Sequence, residues 1–141
     1  MKIERLVQQA LAEREHARAP FSQFRVGAIL VTADEQIYTG CNIEISSFGL
    51  TICAERVAIF KAVSEGVTAF KAIFIASDSE RFTPPCGACR QVLWELAGKI
   101  DVYMINRFGE FQIVPLDALL PHGFDSTFLT IPIYLGEKKV D

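Results

Sequence analysis

The sequence predicts an α/β protein built on a mixed sheet of about five strands. Segments whose apolar residues recur at helical spacing alternate with short runs rich in β-branched and aromatic residues. Gly and Pro residues mark the joints between these segments. The chain has 141 residues, of which 50% are hydrophobic and 22% charged. This composition predicts one compact domain over residues 1–141 and excludes disorder over most of the chain.

The first predicted elements are a helix and a β-hairpin. An amphipathic helix is predicted over residues 2–18, where it covers one face of the sheet and ends before Pro20. Its apolar positions are Ile3, Leu6, Val7, Ala10 and Leu11. Strands over 26–32 and 36–41 are separated by only three residues, so we expect an antiparallel pair.

Two further helices alternate with the remaining strands. The second helix is predicted over 52–65 with Gly66 as its cap, and a buried strand over 71–76 follows. The third helix is predicted over 87–97 and ends at Gly98. Strands over 101–106 and 111–114 are joined by a turn. This order predicts neighbouring parallel strands from the second helix onward, while the hairpin makes the sheet mixed.

The charge and hydropathy of the chain limit the kinds of partner that it can bind. Fourteen Lys and Arg residues against seventeen Asp and Glu give a net charge of −3, without a long basic run. Nonspecific binding to nucleic acid is therefore disfavoured. Apolar stretches fall short of the ~18–20 residues that span a bilayer, and the start of the chain does not read as a signal peptide. We therefore expect a cytoplasmic protein that does not associate with membranes, in which cysteines serve metal binding or chemistry.

The positions of the cysteines indicate a metal site. Cys53 begins the second predicted helix, and Cys86 and Cys89 bracket the first turn of the third. Helix N-termini carry partial positive charge, which stabilises thiolates. Three thiolates on one ion leave a fourth position open, as in catalytic zinc sites. Glu55, two residues after Cys53, could then move a proton between zinc-activated water and a substrate without binding the metal.

Other interpretations of these residues stay open at the level of the sequence. Cys41 could complete a closed structural zinc site, although such a site has no use for Glu55. The Cys86-Gly87-Ala88-Cys89 run at a helix start also resembles a thiol–disulfide redox motif. A nucleoside- or RNA-binding module without turnover lacks support from basic or stacked aromatic surface.

Two distant motifs carry a resemblance to a known family. Cys53-Ala54-Glu55, followed by the run from Pro85 to Gln91, resembles the small homotetrameric zinc-dependent cytidine deaminases. Residues 24–28 and 41–44 stand where that family places its nucleoside-binding segments, and the likeness is strongest over 1–124. The resemblance implies a three-layer α/β/α fold. It also implies hydrolytic deamination of cytidine and 2′-deoxycytidine, with release of ammonia, through a zinc-bound hydroxide in pyrimidine salvage.

The resemblance implies roles for individual residues. Zn²⁺ is expected on Cys53, Cys86 and Cys89, the proton shuttle is Glu55, and the base and ribose contacts come from Phe24, Asn42, Glu44 and the backbone of Ala54. Phe124, and similarly Phe48, would reach the pocket of a neighbouring subunit. Glu44 would also repel a 5′-phosphate, so a free nucleoside is expected as substrate. Arg56, beside Glu55, is expected to donate N–H groups to the sulfurs.

The chain also departs from the family pattern. Ile45 follows Glu44 where the family commonly has Asn, and Ser46-Ser47-Phe48 replaces a more usual small and aromatic pattern. The pocket near the base could therefore differ in shape. The alternative substrate is a cytosine nucleoside analogue or an antibiotic such as blasticidin S.

Overall fold

A five-stranded mixed sheet forms the centre of the computed structural model, which describes residues 1–129, 133–135 and 138–140. Its strands lie in the order β2-β1-β3-β4-β5. They are β1 (Val26–Thr32), β2 (Ile37–Cys41), β3 (Phe70–Ser77), β4 (Asp101–Ile105) and β5 (Phe111–Pro115). Strands β6 (Ile133–Leu135) and β7 (Lys138–Val140) form a separate antiparallel pair.

The pairing confirms a mixed sheet and corrects one expectation. Only β3 and β4 are parallel neighbours within this sheet, because β1 pairs with both β2 and β3 in the antiparallel sense. The second predicted helix therefore connects β2 and β3, two parallel strands that are separated by β1. The physical reason is the apolar character of β1, which is buried along nearly its whole length and so needs a partner on each edge. Strand β2 is more exposed and forms the sheet edge.

Helices cover both faces of the sheet, which confirms the three-layer α/β/α prediction. Helix α1 (Ile3–Glu13) packs on one face, against a set that includes Ile29, Val31 and Phe74. Helices α2 (Ala54–Ser64) and α3 (Gly87–Ala97) pack on the other, against a set that includes Leu30 and Ile73. The side chains alternate because successive residues of a strand point to opposite faces. No helix in the described part of the chain is long and apolar enough to cross a membrane.

The helix boundaries lie close to those predicted. Helix α1 is shorter than the 2–18 segment, because residues Arg14–His16 tighten into a 3-10 helix. Helix α3 has the predicted bounds and Gly98 follows it. A short helix, α4 (Leu116–Leu119), follows β5 and was not predicted.

Two glycines allow helices to approach the sheet closely. A Cβ atom at Gly27 would lie 2.3 Å from the Ala10 carbonyl oxygen of α1. A Cβ atom at Gly40 would lie 2.2 Å from the Ala54 carbonyl oxygen of α2. Both distances are far below van der Waals contact. The first turn of α2 is therefore held directly against β2, and this contact fixes the start of the helix in space.

Candidate active site

Three cysteine thiols meet where the N-termini of α2 and α3 come together. Cys53 is the N-cap of α2, Cys86 is the N-cap of α3, and Cys89 lies in the first turn of α3. Their Sγ atoms all lie within 4.8 Å of one another, and those of Cys53 and Cys86 are 3.8 Å apart. The convergence predicted from the spacing of the cysteines is confirmed.

The donor set fits a zinc ion. A tetrahedral centre with Zn–S bonds of about 2.3 Å separates its sulfurs by about 3.8 Å. The Cys53–Cys86 separation already has this value. Cys89 is buried whereas Cys86 is exposed, so the cluster has a side open to solvent. Cys41 lies outside the group of converging sulfurs, and this argues against a closed four-cysteine site.

The electrostatics of the cluster also favour a cation. The pKa of Cys53 falls to about 5, because Cys89 and then Arg56 donate hydrogen bonds to its sulfur. The pKa of Cys89 is raised, because the neighbouring Cys53 sulfur and burial both oppose a second negative charge. Three thiolates at this spacing therefore repel one another, and a divalent cation removes that repulsion.

Arg56 lies against the cluster. Its Nη2 is 3.4 Å from the Cys53 sulfur, and the same sulfur raises the pKa of the guanidinium. Arg56 is the third residue of α2, which directs it back toward Cys53 at the N-cap. The predicted contact between an arginine and a sulfur is therefore present in the fold.

Glu55 is a buried carboxyl group beside the thiols. Only 4% of the residue is exposed, and burial raises its pKa to about 7, with the Cys53 charge acting in the same direction. Among the groups that shift this pKa are the side chains of Cys53 and Cys89, so the carboxyl group lies next to the sulfurs. It is not part of the group of converging ligand atoms. A carboxyl group in this environment can exchange a proton near neutral pH.

The segment after β2 connects the cysteines to the proposed nucleoside contacts. Ile43 and Ile52 exchange two backbone hydrogen bonds of 3.0 and 3.1 Å, and Ile52 directly precedes Cys53. On its other side the segment bridges to Arg18, through bonds of 2.9 Å and 2.8 Å. Residues 42–44 therefore lie between the start of α2 and the loop before β1.

Asn42 and Glu44 are both buried and both hold the loop before β1. The amide of Asn42 donates to the Phe24 carbonyl and accepts from the Val26 N–H, each at 2.8 Å. The Glu44 carboxylate accepts from the Phe21 and Ser22 N–H groups at 2.9 and 3.1 Å, and from the Ser22 hydroxyl. The Ser22 hydroxyl is the main cause of the lowered pKa of Glu44.

These contacts occupy some of the donors and acceptors that the sequence analysis assigned to the nucleoside. An amide oxygen has a second lone pair and an amide nitrogen a second hydrogen, so Asn42 keeps one of each. The ionised Glu44 also keeps acceptor capacity. Both residues can still bind hydroxyl groups, but each also positions the loop.

Aromatic side chains line an open groove beside Glu44. Phe21 and Phe48 meet edge to face with ring centroids 5.3 Å apart. Together with Ser22, Glu44 and Thr51 they enclose about 400 Å³. Phe24 follows in the same loop with 42% of its surface exposed, and Phe48 is 71% exposed. Flat apolar rings beside hydrogen-bond acceptors suit a nucleoside.

Phe124 lies elsewhere. Its carbonyl accepts a hydrogen bond of 2.6 Å from Gln91, and its ring stacks on Phe128. It lines a groove that is separate from the one beside Glu44 and that includes Phe60 and Leu96. Within one chain, Phe124 therefore does not line the groove beside Glu44.

The sequence did not reveal some residues that organise the site. Ser22 and Phe21 hold Glu44 across 22 and 23 positions of the chain. Asp78 binds the loop that carries Phe24 across 53 positions. Their residue types are common in surface loops, and the only local signal was their closeness to Phe24 or to the end of a strand.

An open three-thiolate site with a buried carboxyl group on an adjacent helix turn defines a class of zinc-dependent hydrolytic enzymes. A family model described as the cytidine and deoxycytidylate deaminase zinc-binding region matches residues 1–105. The chain belongs to this zinc-dependent deaminase family.

Relatives and solved structures support the assignment. The chain is 45% identical to a cytidine deaminase of Sporosarcina psychrophila over 131 residues, covering 92% of this chain and 96% of that protein. It is 46% identical to one of Halalkalibacterium halodurans over 125 residues, covering 88% and 95%. The crystal structure of a Burkholderia pseudomallei cytidine deaminase superposes with a TM-score of 0.85 at 42% identity, covering 88% of this chain and all of that one (100%).

Proposed function

We propose that this chain hydrolyses cytidine and 2′-deoxycytidine to uridine and 2′-deoxyuridine, with release of ammonia. The observation that carries the proposal is the buried Glu55 carboxyl group beside three converging thiols. Neither a structural zinc site nor a thiol–disulfide site requires a buried carboxyl group at that position. The relatives named above are cytidine deaminases.

The metal ligands in this proposal are Cys53, Cys86 and Cys89. A zinc ion held by these sulfurs would supply a Lewis acid that lowers the pKa of a water molecule. Three thiolates leave the centre with a net negative charge, which weakens that effect. The Arg56 guanidinium at 3.4 Å from the Cys53 sulfur, together with the two helix N-termini, offsets part of the charge.

Glu55 moves the protons of the reaction. It accepts a proton from the attacking water and delivers it to N3 of the base as the oxygen bonds to C4. It next takes the remaining proton of that oxygen and passes it to the amino group, and the C4–N bond breaks with loss of ammonia. One water is consumed and the carboxylate is regenerated.

The nucleoside is held by the segments on either side of the groove. Asn42 and Glu44 hydrogen-bond the ribose, Phe24 packs near the base, and the backbone of Ala54 reads the pyrimidine edge. Ala54 is the first residue of α2, so its N–H has no acceptor within the helix. The negative charge of Glu44 disfavours a 5′-phosphate nearby.

The proposal also covers the oligomeric state of the enzyme, its compartment and its metabolic role. The chain acts as a single domain over 1–141 and as a cytoplasmic homotetramer in pyrimidine salvage, in which Phe124 reaches a neighbouring subunit's pocket, whereas Phe48 lines the groove of its own chain. Support comes from the family resemblance and from large exposed apolar side chains. Phe124 is 56% exposed, and Phe60, in the same groove, is 45% exposed.

The decisive experiment combines turnover with metal content. Purified protein is given cytidine and then deoxycytidine, the loss of absorbance in the cytosine band is followed, and zinc is determined on the same sample. Ammonia release with about one zinc per chain supports the proposal. Cys41→Ser is the matched variant: a deaminase keeps its zinc and turnover, whereas a closed four-cysteine site loses its metal.

A second candidate substrate is favoured by the residues that depart from the family pattern. Ile45 is exposed, and its N–H donates to the hydroxyl of Thr51, which lines the groove beside Glu44. Phe48 lines the same groove. A different pocket shape would suit a cytosine nucleoside analogue or blasticidin S. Turnover of such a compound, with none of cytidine by the zinc-loaded protein, would establish this alternative.

A further inference from the structure

The loop that carries Phe24 is held at consecutive backbone groups. Gln23 has a φ of 58°, a left-handed conformation that is unfavourable for a residue with a side chain. Its N–H donates to the Ala19 carbonyl at 3.0 Å, and the Phe24 N–H donates to the Ser22 hydroxyl at 3.0 Å. Such a conformation persists only where surrounding contacts fix it.

Two side chains from other elements hold the next residues. Asn42 binds the Phe24 carbonyl and the Val26 N–H, as described above. Asp78, directly after β3, accepts from the Arg25 N–H at 3.0 Å. Asn42 belongs to the proposed nucleoside contacts, but Asp78 does not.

The Asp78 carboxylate holds both the backbone and the side chain of Arg25. Arg25 donates through Nε to one oxygen and through Nη2 to the other, each at 3.0 Å. Arg14, in the 3-10 helix that follows α1, donates to the same carboxylate at 3.2 Å and to the Ser77 carbonyl at 3.0 Å. Arg14 and Asp78 are half-buried, and the hydrogen bonds from Arg25 lower the pKa of Asp78. A bidentate contact between a guanidinium and a carboxylate is more rigid than a single surface ion pair.

We propose that Asp78 is a positioning residue for nucleoside binding, which fixes the Phe24 ring by holding the backbone and guanidinium of Arg25. The proposal rests on the proposed function, in which Phe24 packs near the base. Asp78 acts through Arg25. Without its carboxylate the guanidiniums of Arg14 and Arg25 lose the anion between them, and the Arg25 N–H loses its acceptor.

The test compares three variants of the full-length, zinc-loaded protein. Asp78→Ala removes every contact of the carboxylate. Asp78→Asn keeps one acceptor oxygen but loses the charge. Glu80→Ala is the matched control, because Glu80 lies in the same loop and pairs at 2.7 Å with an exposed arginine, Arg107, that does not contact the Phe24 loop. The readouts are zinc content, amide hydrogen exchange over residues 20–27, and KM and kcat for cytidine.

Asp78→Ala is expected to speed amide exchange over 20–27 and to raise KM about tenfold or more, as for loss of hydrogen bonds to a charged group. Zinc content and kcat should change little. Asp78→Asn should give a smaller change in the same direction, and Glu80→Ala should match the wild type.

Unchanged exchange and KM in folded Asp78→Ala would overturn the proposal. So would a loss of zinc and kcat at constant KM, since that pattern indicates a purely structural role. If Asp78→Ala does not fold, the same criteria apply to Asp78→Asn. If the wild type does not convert cytidine, the proposed function fails, while amide exchange still decides whether Asp78 holds the loop.

Discussion

At the scale of single residues, the chemistry depends on the difference between Glu55 and the other carboxylates of the chain. Glu55 is buried against thiols, and its pKa is raised to about 7. The pKa of Glu35 is instead lowered to about 2, because Lys71 and the N-terminal amine donate to it on the surface. The same functional group is therefore suited to proton exchange in one place and to ion pairing in another, as its environment dictates.

The role of Glu55 predicts the behaviour of Glu55→Gln. The amide has nearly the same shape and cannot exchange a proton, so we expect zinc content and fold to persist while kcat falls by about 10²–10⁴-fold. Steady-state assays with zinc analysis on the same samples measure both quantities. Glu65→Gln, at the exposed far end of α2, is the control and should retain wild-type kinetics. Retained turnover in Glu55→Gln would exclude the proton shuttle.

The contact between Arg56 and the Cys53 sulfur predicts a second effect, on zinc binding. Arg56→Ala removes the N–H donor 3.4 Å from the Cys53 sulfur and a positive charge beside an anionic centre. We expect a loss of zinc affinity or turnover of about 10–100-fold, as for other residues that support metal ligands. Competition with a chromogenic chelator gives the affinity. Arg56→Lys keeps the charge, so its zinc affinity should lie between those of the wild type and Arg56→Ala. Equal zinc retention and turnover in Arg56→Ala and the wild type would contradict this role.

The residues of the proposed active site could be predicted from the sequence because their signal is local. Cys86 and Cys89 share one helix turn, and Cys53 and Glu55 share another. The contacts that Asp78 makes were not readable, because they join positions far apart in the chain. A carboxylate after a strand has many possible partners, and only the fold selects Arg25 among them.

At the scale of elements, the site depends on how closely α2 packs on the sheet. The helix begins at the residue after Cys53, and its first turn lies against Gly40 of β2. A shift of this helix would move Cys53 and Glu55 together, away from Cys86 and Cys89 on α3. The glycine in β2 therefore contributes to the metal site although it binds nothing.

This packing predicts different results for two similar substitutions. Gly40→Ala places a methyl group 2.2 Å from the Ala54 carbonyl, and Gly27→Ala places one 2.3 Å from the Ala10 carbonyl. Each should lower the free energy of unfolding by about 1–3 kcal/mol, because the helix must move. Only Gly40→Ala displaces α2, so only this variant should also lose zinc affinity. Chemical unfolding and chelator competition on both variants provide the measurement, and equal zinc affinities would contradict the argument.

The elements themselves were predicted within a few residues, but their order in the sheet was not. Local patterns mark each strand and helix, whereas the position of β1 depends on its pairing with β3, a strand some 40 positions later. The burial of β1 on both faces is the physical cause of its place inside the sheet, between β2 and β3. A continuous apolar run indicates such burial without naming the partner strand.

At the scale of the whole molecule, the chain exposes apolar surface away from its own candidate site. The groove with Phe124 is lined by residues from α2, α3 and the segment that follows α4, among them Phe60 and Leu129. Large exposed side chains that lie together indicate an interaction surface. The proposed homotetramer accounts for them if the Phe124 of one subunit completes the pocket of another.

Mixed oligomers provide the test of this arrangement. Phe124→Ala alone should raise KM for cytidine while the protein keeps its zinc, since the metal ligands are untouched. Co-expression of Phe124→Ala with Glu55→Gln subunits should restore a low KM in part of the assemblies. An intact Phe124 then comes from a subunit that cannot itself turn over substrate. Size-exclusion chromatography with light scattering establishes the number of subunits before the kinetics are compared.

The control for this experiment carries both substitutions in one partner. Subunits with Glu55→Gln and Phe124→Ala together offer neither proton transfer nor an aromatic ring, so they should not rescue Phe124→Ala. Rescue by the single variant and none by the double variant would show that Phe124 acts between subunits. If neither partner lowers KM, Phe124 acts within its own chain or outside the pocket. In that case the apolar groove must be explained by assembly alone.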